Sequence, residues 1–282
     1  MSSNAGILWI GLGNLLYTLG FVTSILYLIR ARHHPRWLLY TFIAGGYAIH
    51  TYGLYLRGMD VRGCPIGNTF EIVQFVIWSL TFCFLVLGPA FRLSLFGFFT
   101  AGIAALLSIL AFVFPGWDSP YPLDGEKISP AIEFHASLAV FSYGIFALLA
   151  VSSILYILQN YSLKHHRWKG VYEFLPSLVE SEAMTLRMLV AGSGVLTVSL
   201  LVGYSYWMQN VAEINAAKLS ATVAVWLAYL VVLVLRLMNR LYAKKLAWTS
   251  IVLFLFALLS IWPIDASRQA KQAESASTHI AP

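Results

Sequence analysis

Residues 131–158 read AIEFHASLAVFSYGIFALLAVSSILYIL, an apolar run with one acidic residue, Glu133, and one histidine, His135. The run exceeds the roughly 20 residues an α-helix needs to cross the hydrocarbon of a bilayer. Its apolar positions show neither the one-sided helical stripe nor the strict alternation of a half-buried strand. A helix apolar on every side belongs in lipid or in the core of a bundle.

The rest of the chain repeats the pattern. Its 282 residues are 59% hydrophobic and 11% charged, with a mean hydropathy of +0.75. Soluble domains carry about 25% charged residues. Eight spans are expected, at 6–29, 37–57, 69–90, 93–114, 131–158, 187–208, 219–241 and 246–264. In lipid every backbone polar group must be satisfied within the protein, so the fold class is all-α, a polytopic membrane helical bundle forming one domain. Residues 265–282, DASRQAKQAESASTHIAP, are polar and are expected to be a disordered tail. The first apolar run has no basic leader and no cleavage signature, so it reads as a span and not as a signal peptide.

The net charge of +6 follows topology and does not point to nucleic acid. Of the 18 Lys and Arg residues, twelve fall on one side of the spans, including Arg30, Arg32, Arg36, Arg92, Lys244 and Lys245, and six on the other. The positive-inside rule puts the twelve in the cytoplasm and both termini outside the inner (plasma) membrane. Cys64 falls in a loop and Cys83 inside a span, so no disulfide and no zinc motif is expected.

The chemistry-bearing residues are few. His50 in AGGYAIHTYGLYLRG (44–58) and His135 are the two histidines within the spans, and both fall in the expected outer half. Ionisable side chains inside spans are rare and mark functional sites by default. Two imidazoles from different helices at one depth suit the axial positions of haem iron. The plainer reading has each histidine bonded to a backbone carbonyl across a helix contact. His33, His34, His165 and His166 sit beside Arg and Lys in cytoplasmic loops and read as headgroup-facing; His279 lies in the tail.

In CPIGNTFEIVQFVIWSL (64–80), Asn68 and Glu71 have capping-box spacing, so Glu71 can fold back onto the first turn of its helix. Alternatively Glu71 faces the same vestibule as His50 and orients its ring, with Gln74 on the same helix face. Trp207, Tyr204 and Tyr206 close the sixth span. They serve either as interfacial belt residues or as walls of a porphyrin cavity.

Three stretches resemble the cytochrome c assembly family, integral-membrane haem-handling proteins with a synthase-subunit (CcsA) branch and a HemX-like branch. They are IHTYGLYLRGMDVRGCPIGNTFEIVQFVIWS (49–79), ISPAIEFHASLAVFSYGIFALLA (128–150) and KLSATVAVWLAYLVVLVLRL (218–237). The region YSYWMQNVAEINAAKLS (204–220) has one tryptophan, Trp207, where haem-presenting members carry a Trp-rich signature. The family's later histidine falls on Val234, and the one near the outer end of the last span is absent after IWPIDAS. The resemblance therefore implies the HemX-like branch, with haem near the outer face held by His50 and His135 and flanked by Glu71 and Trp207. It implies cytochrome c biogenesis or haem trafficking, with a maturation partner in the membrane or apocytochrome c as partner. It argues against a self-sufficient haem lyase, and no nucleophile, base and orienter stand together for catalysis. Two other readings remain open: a regulatory or accessory membrane protein of haem biosynthesis, and a small-molecule transporter.

Overall fold

The computed structural model describes residues 2–30, 36–91, 94–119, 129–165, 177–208, 216–241 and 243–261. Among them the chain forms eight α-helices: α1 (Ser2–Ile29), α2 (Arg36–Val61), α3 (Thr69–Phe91), α4 (Ser94–Val113), α5 (Pro130–His165), α6 (Leu178–Trp207), α7 (Ala216–Leu237) and α8 (Ala243–Leu259). No strand occurs among the described residues. Six helices, α1 and α3 to α7, are long and apolar enough to cross a membrane. Of the other two, α8 has 17 residues, and α2 carries His50, Arg57 and Asp60 among its 26. The protein is a helical membrane bundle. The tail and the His33–His34 and His166 positions lie outside the described residues.

The helix ends differ from the expected ones for local reasons. α2 runs four residues beyond the expected 57, to Val61. It stops where Arg62 takes a left-handed φ of 54° and the Gly63 N–H donates back to the Gly58 carbonyl at 3.1 Å. Asn239 ends α7 the same way, with Arg240 N–H on Leu235 O at 2.8 Å. α6 begins at Leu178 and not at 187. Ser177 and Glu180 form a reciprocal capping box: Glu180 N–H donates to Ser177 Oγ at 3.2 Å, and Ser177 N–H to Glu180 Oε2 at 3.0 Å. Pro130 opens α5 at a position where its missing N–H costs nothing.

Two antiparallel pairs, α1–α2 and α5–α6, are the most closely joined, and α3 bridges them by packing on α5. Without a hydrophobic drive between helices in lipid, close association needs small residues that let backbones approach. A Cβ on Gly13 would stand 2.8 Å from both Gly46 O and His50 N, and one on Gly53 would stand 2.6 Å from Ile10 N. The α1–α2 seam is therefore backbone on backbone. In the other half, Phe146 fills the notch at Gly192 and stacks on Tyr229 with 3.6 Å between ring centroids.

Candidate functional site

One end of the bundle gathers the C-terminus of α2, the N-termini of α3 and α5 and the loop after α4. Arg57 sits there, 7% exposed, between two carboxylates. Its Nε and Nη2 donate to Glu71 Oε1 at 2.8 and 2.7 Å, and its Nη2 and Nη1 donate to Asp118 Oδ1 and Oδ2 at 2.7 and 3.3 Å. Asn68 adds a bond from its Nδ2 to Asp118 Oδ1 at 3.0 Å while its own Oδ1 accepts the Glu71 N–H at 2.9 Å. Glu71 Oε2 takes the Gly67 N–H at 2.8 Å. The cap is thus half of the expected box: Asn68 caps α3, but the Glu71 carboxylate reaches past Asn68 to Gly67 and to Arg57. Glu71 is brought to Arg57 and not to His50. A buried and a partly exposed acid against one guanidinium leave a net negative charge, which the positive end of α3 helps to offset.

The loop between α2 and α3 also holds Cys64. Ser137 of α5, which donates its proton to the Glu133 carbonyl at 2.7 Å, lies 3.2 Å from the Cys64 sulfur, and burial pushes the thiol pKa up. Cys64 and Cys83 are both free. An open groove of about 630 Å³ runs beside this loop, lined by Met59, Arg62, Pro65, Phe75 and Trp78 among others.

His135 lies one turn into α5 and packs on α6, its ring edge-on to Trp207 with centroids 5.3 Å apart. Gly203 makes the room, since a Cβ there would stand 2.7 Å from Nδ1. Nδ1 is 2.6 Å from the Ser199 carbonyl oxygen and 3.1 Å from Ser199 Oγ. A carbonyl only accepts, so the proton is on Nδ1. Ser199 Oγ donates its own proton to the His135 carbonyl at 2.8 Å and so also accepts from the ring. Among the described residues no hydrogen bond reaches Nε2. This is how a metal-ligating histidine is held, with one nitrogen fixed by a carbonyl and the other open. Beyond Trp207, an open apolar groove of about 460 Å³ lies between α6 and α7, walled by Tyr204, Trp207, Leu219 and Trp226. Trp226 is fixed by donating to Thr197 Oγ1 at 2.9 Å.

His50 is fully buried in the other half. Its Nδ1 is 3.5 Å from the Tyr17 hydroxyl, which is 3.4 Å from Thr81 Oγ1. Thr81 donates its proton to Ile77 O at 2.9 Å, so Tyr17 donates to Thr81 and accepts from Nδ1–H. Nε2 again keeps the lone pair, and it is buried without a partner.

The two imidazoles are not level. Trp78 Nε1 donates to Thr51 Oγ1 at 2.8 Å, and Gly144 abuts Ser79, so Thr51, Trp78 and Gly144 share one layer. His135 is nine residues nearer the Arg57 end than Gly144, about 13 Å along the helix. His50 faces α1, and His135 faces α6. The structure joins His135 with Trp207 and Glu71 with Arg57, and it places His50 in a third setting. Sequence reading missed Arg57, Asp118, Ser199, Asn14 and Tyr17. The available signals were the seven-residue spacing of His50 and Arg57 on one helix face, and the Asn14–Tyr17 pair three apart in an apolar span.

Among the described residues, no three His, Cys, Asp or Glu side chains converge as a bare metal site. The model of the Cytochrome C assembly protein family matches residues 66–267, and the chain belongs to that family. The match takes in Glu71, His135, Ser199 and Trp207; His50 and Arg57 precede it. The chain is 27% identical to Protein HemX of Bacillus subtilis (strain 168) over 207 residues, covering 73% of this chain and 75% of that protein. It is 31% identical to Protein HemX of Brevibacillus brevis over 140 residues, 49% of this chain and 51% of the relative. It is 26% identical to Cytochrome c biogenesis protein CcsA of Mesostigma viride over 117 residues, 39% of this chain and 36% of the relative.

Proposed function

We propose that this protein binds haem in the membrane and serves cytochrome c assembly or haem trafficking, as a HemX-like member of its family. Family membership supports a role in cytochrome c biogenesis or another haem-related membrane function. The observation that carries the haem reading is His135: a neutral imidazole with Nδ1 fixed on Ser199, Nε2 unengaged, and an aromatic-walled apolar groove beside it. That donor set fits haem, whose iron takes histidine nitrogen and whose ring suits apolar walls.

In this reading His135 supplies the ligand, Ser199 fixes its tautomer, and Trp207 supports its ring. His50 is the second candidate ligand. Its Nε2 is also unengaged, but it is enclosed and lies in a different helix seam, so the two act at separate places. Glu71 and Arg57 hold the loop after α4 over the same end of the bundle. Haem would supply the reactive vinyl groups, and this chain needs no nucleophile of its own. All eight helices span the inner (plasma) membrane. The excess of basic residues at the opposite end supports an orientation with the Arg57 end and both termini outside, where a maturation partner or apocytochrome c would meet the haem.

The test is the visible spectrum of detergent-purified protein titrated with hemin, beside His135→Ala and His50→Ala. A Soret band that shifts on binding, is lost in His135→Ala and returns with added imidazole supports the reading. No shift in the wild type sinks it. The enclosure of His50 favours a second reading, an accessory protein acting through partner contacts. In that case both variants would leave partner activity intact.

A further inference from the structure

Asn14 of α1, His50 of α2 and Gln74 of α3 are 2%, 0% and 0% exposed. All three lie among the buried residues of the first three helices. Asn14 Nδ2 donates to Gln74 Oε1 at 2.8 Å. His50 packs against Gly13, the neighbour of Asn14, and bonds to Tyr17 one turn along α1. Each of the three nonetheless ends in a polar atom with no partner: Asn14 Oδ1, His50 Nε2 and Gln74 Nε2. Buried polar groups in folded proteins are almost always paired, and a pairing that the protein does not provide is commonly supplied by ordered water.

The leftover atoms have a defined composition. Asn14 Oδ1 accepts, Gln74 Nε2 donates, and His50 Nε2 accepts, because the Tyr17–Thr81 chain places the imidazole proton on Nδ1. Exchanging nitrogen and oxygen in both amides would reverse the Asn14–Gln74 bond and again leave one donor and one acceptor over. One water molecule answers this set: it donates to Asn14 and to His50 and accepts from Gln74. A charged occupant does not suit it, because no ionised side chain is among the three. We propose that α1, α2 and α3 build an internal hydration site here, occupied by water or an uncharged hydrogen-bonding molecule of that size. The site is separate from the His135 groove and does not depend on haem.

The site also extends a polar path. Gln74 is one turn along α3 from Glu71, which is tied to Arg57 and through Arg57 to Asp118. Asp118 is partly exposed at the end of the bundle. Water at the Asn14–His50–Gln74 site would lie between that ion cluster and the Tyr17–Thr81 pair, inside an otherwise apolar core.

The experiment is hydroxyl-radical footprinting by X-ray radiolysis on the full-length, haem-free protein in detergent, read by mass spectrometry. Radicals made from bound water label the side chains beside it. Tyr17 and His50 should label several-fold faster than Phe96, a side chain equally buried at 1% exposure. Asn14→Leu with Gln74→Leu should bring both down to the Phe96 rate. Labelling of wild-type Tyr17 and His50 at the Phe96 rate would overturn the proposal. So would unchanged labelling in a folded double variant. The wild-type comparison, repeated in H2(18)O to confirm that the oxygen comes from solvent, decides the matter even if the double variant does not fold.

Discussion

His50 and His135 are the same residue in two seams of one bundle, each with Nδ1 against an oxygen. What differs is where the second nitrogen points. His135 is held by a backbone carbonyl and packs on Trp207, a wall of the α6–α7 groove; His50 is held by a tyrosine hydroxyl and sealed against a glycine. The family match includes the first and begins after the second. A histidine in a span is therefore not a ligand by its presence alone. Its free nitrogen must have somewhere to reach, and backbone packing decides that.

The largest effect expected in either seam comes from Arg57. Arg57→Ala leaves Glu71 as an uncompensated buried carboxylate and should cost about 3–5 kcal/mol. Thermal unfolding followed by fluorescence size-exclusion would read the loss. Arg57→Met combined with Glu71→Gln and Asp118→Asn should recover most of it, because the buried charges go together. A single variant as stable as the wild type would mean that the cluster does not anchor this end.

Gly13→Val and Gly203→Val test the two seams directly. Each forces a side chain into a space already filled, and overpacking of this kind costs about 1–3 kcal/mol. Only Gly203→Val displaces the His135 ring, so only it should alter the hemin spectrum. If Gly13→Val alters the spectrum equally, His50 ligates and the contrast between the seams fails. A smaller change, Ser199→Ala, removes the hydroxyl but keeps the carbonyl. It should cost about 0.5–1.5 kcal/mol and shift the spectrum slightly without abolishing binding. The smallest effect is at Cys64, between the two halves. Burial raises its thiol pKa, so less thiolate is present at neutral pH. Alkylation should be slower than for a free thiol, and its rate should still be climbing above pH 9.0, the ordinary thiol value. A rate that levels off below that pH would contradict the burial.

The sequence made the helices legible and their partners obscure. Apolar runs located the eight helices, though not their ends, because a span must satisfy its own backbone whatever surrounds it. The misplaced ends were polar decisions: the Ser177–Glu180 box that starts α6 early, and the left-handed Arg62 that lets α2 run on. Glu71 was legible as a cap but not as the partner of Arg57, because Asp118 comes from a loop about fifty residues away in sequence. Whether His50 and His135 face one another depends on which helices touch, and an apolar face with no polar code does not record that in one sequence.

The glycine-lined α1–α2 seam bears on how the chain is made. Asn14 and His50 each burden their helix with a polar group as it leaves the translocon, and each would enter lipid more easily as half of an interlocked hairpin. On this hypothesis α1 and α2 are inserted as one unit, and Asn14 waits for Gln74 of α3 before its amide is satisfied. A glycosylation-mapping assay on truncated nascent chains would show it: α1 alone should integrate less completely than α1 followed by α2. Equal integration would mean that the two helices meet only after both are already in the bilayer.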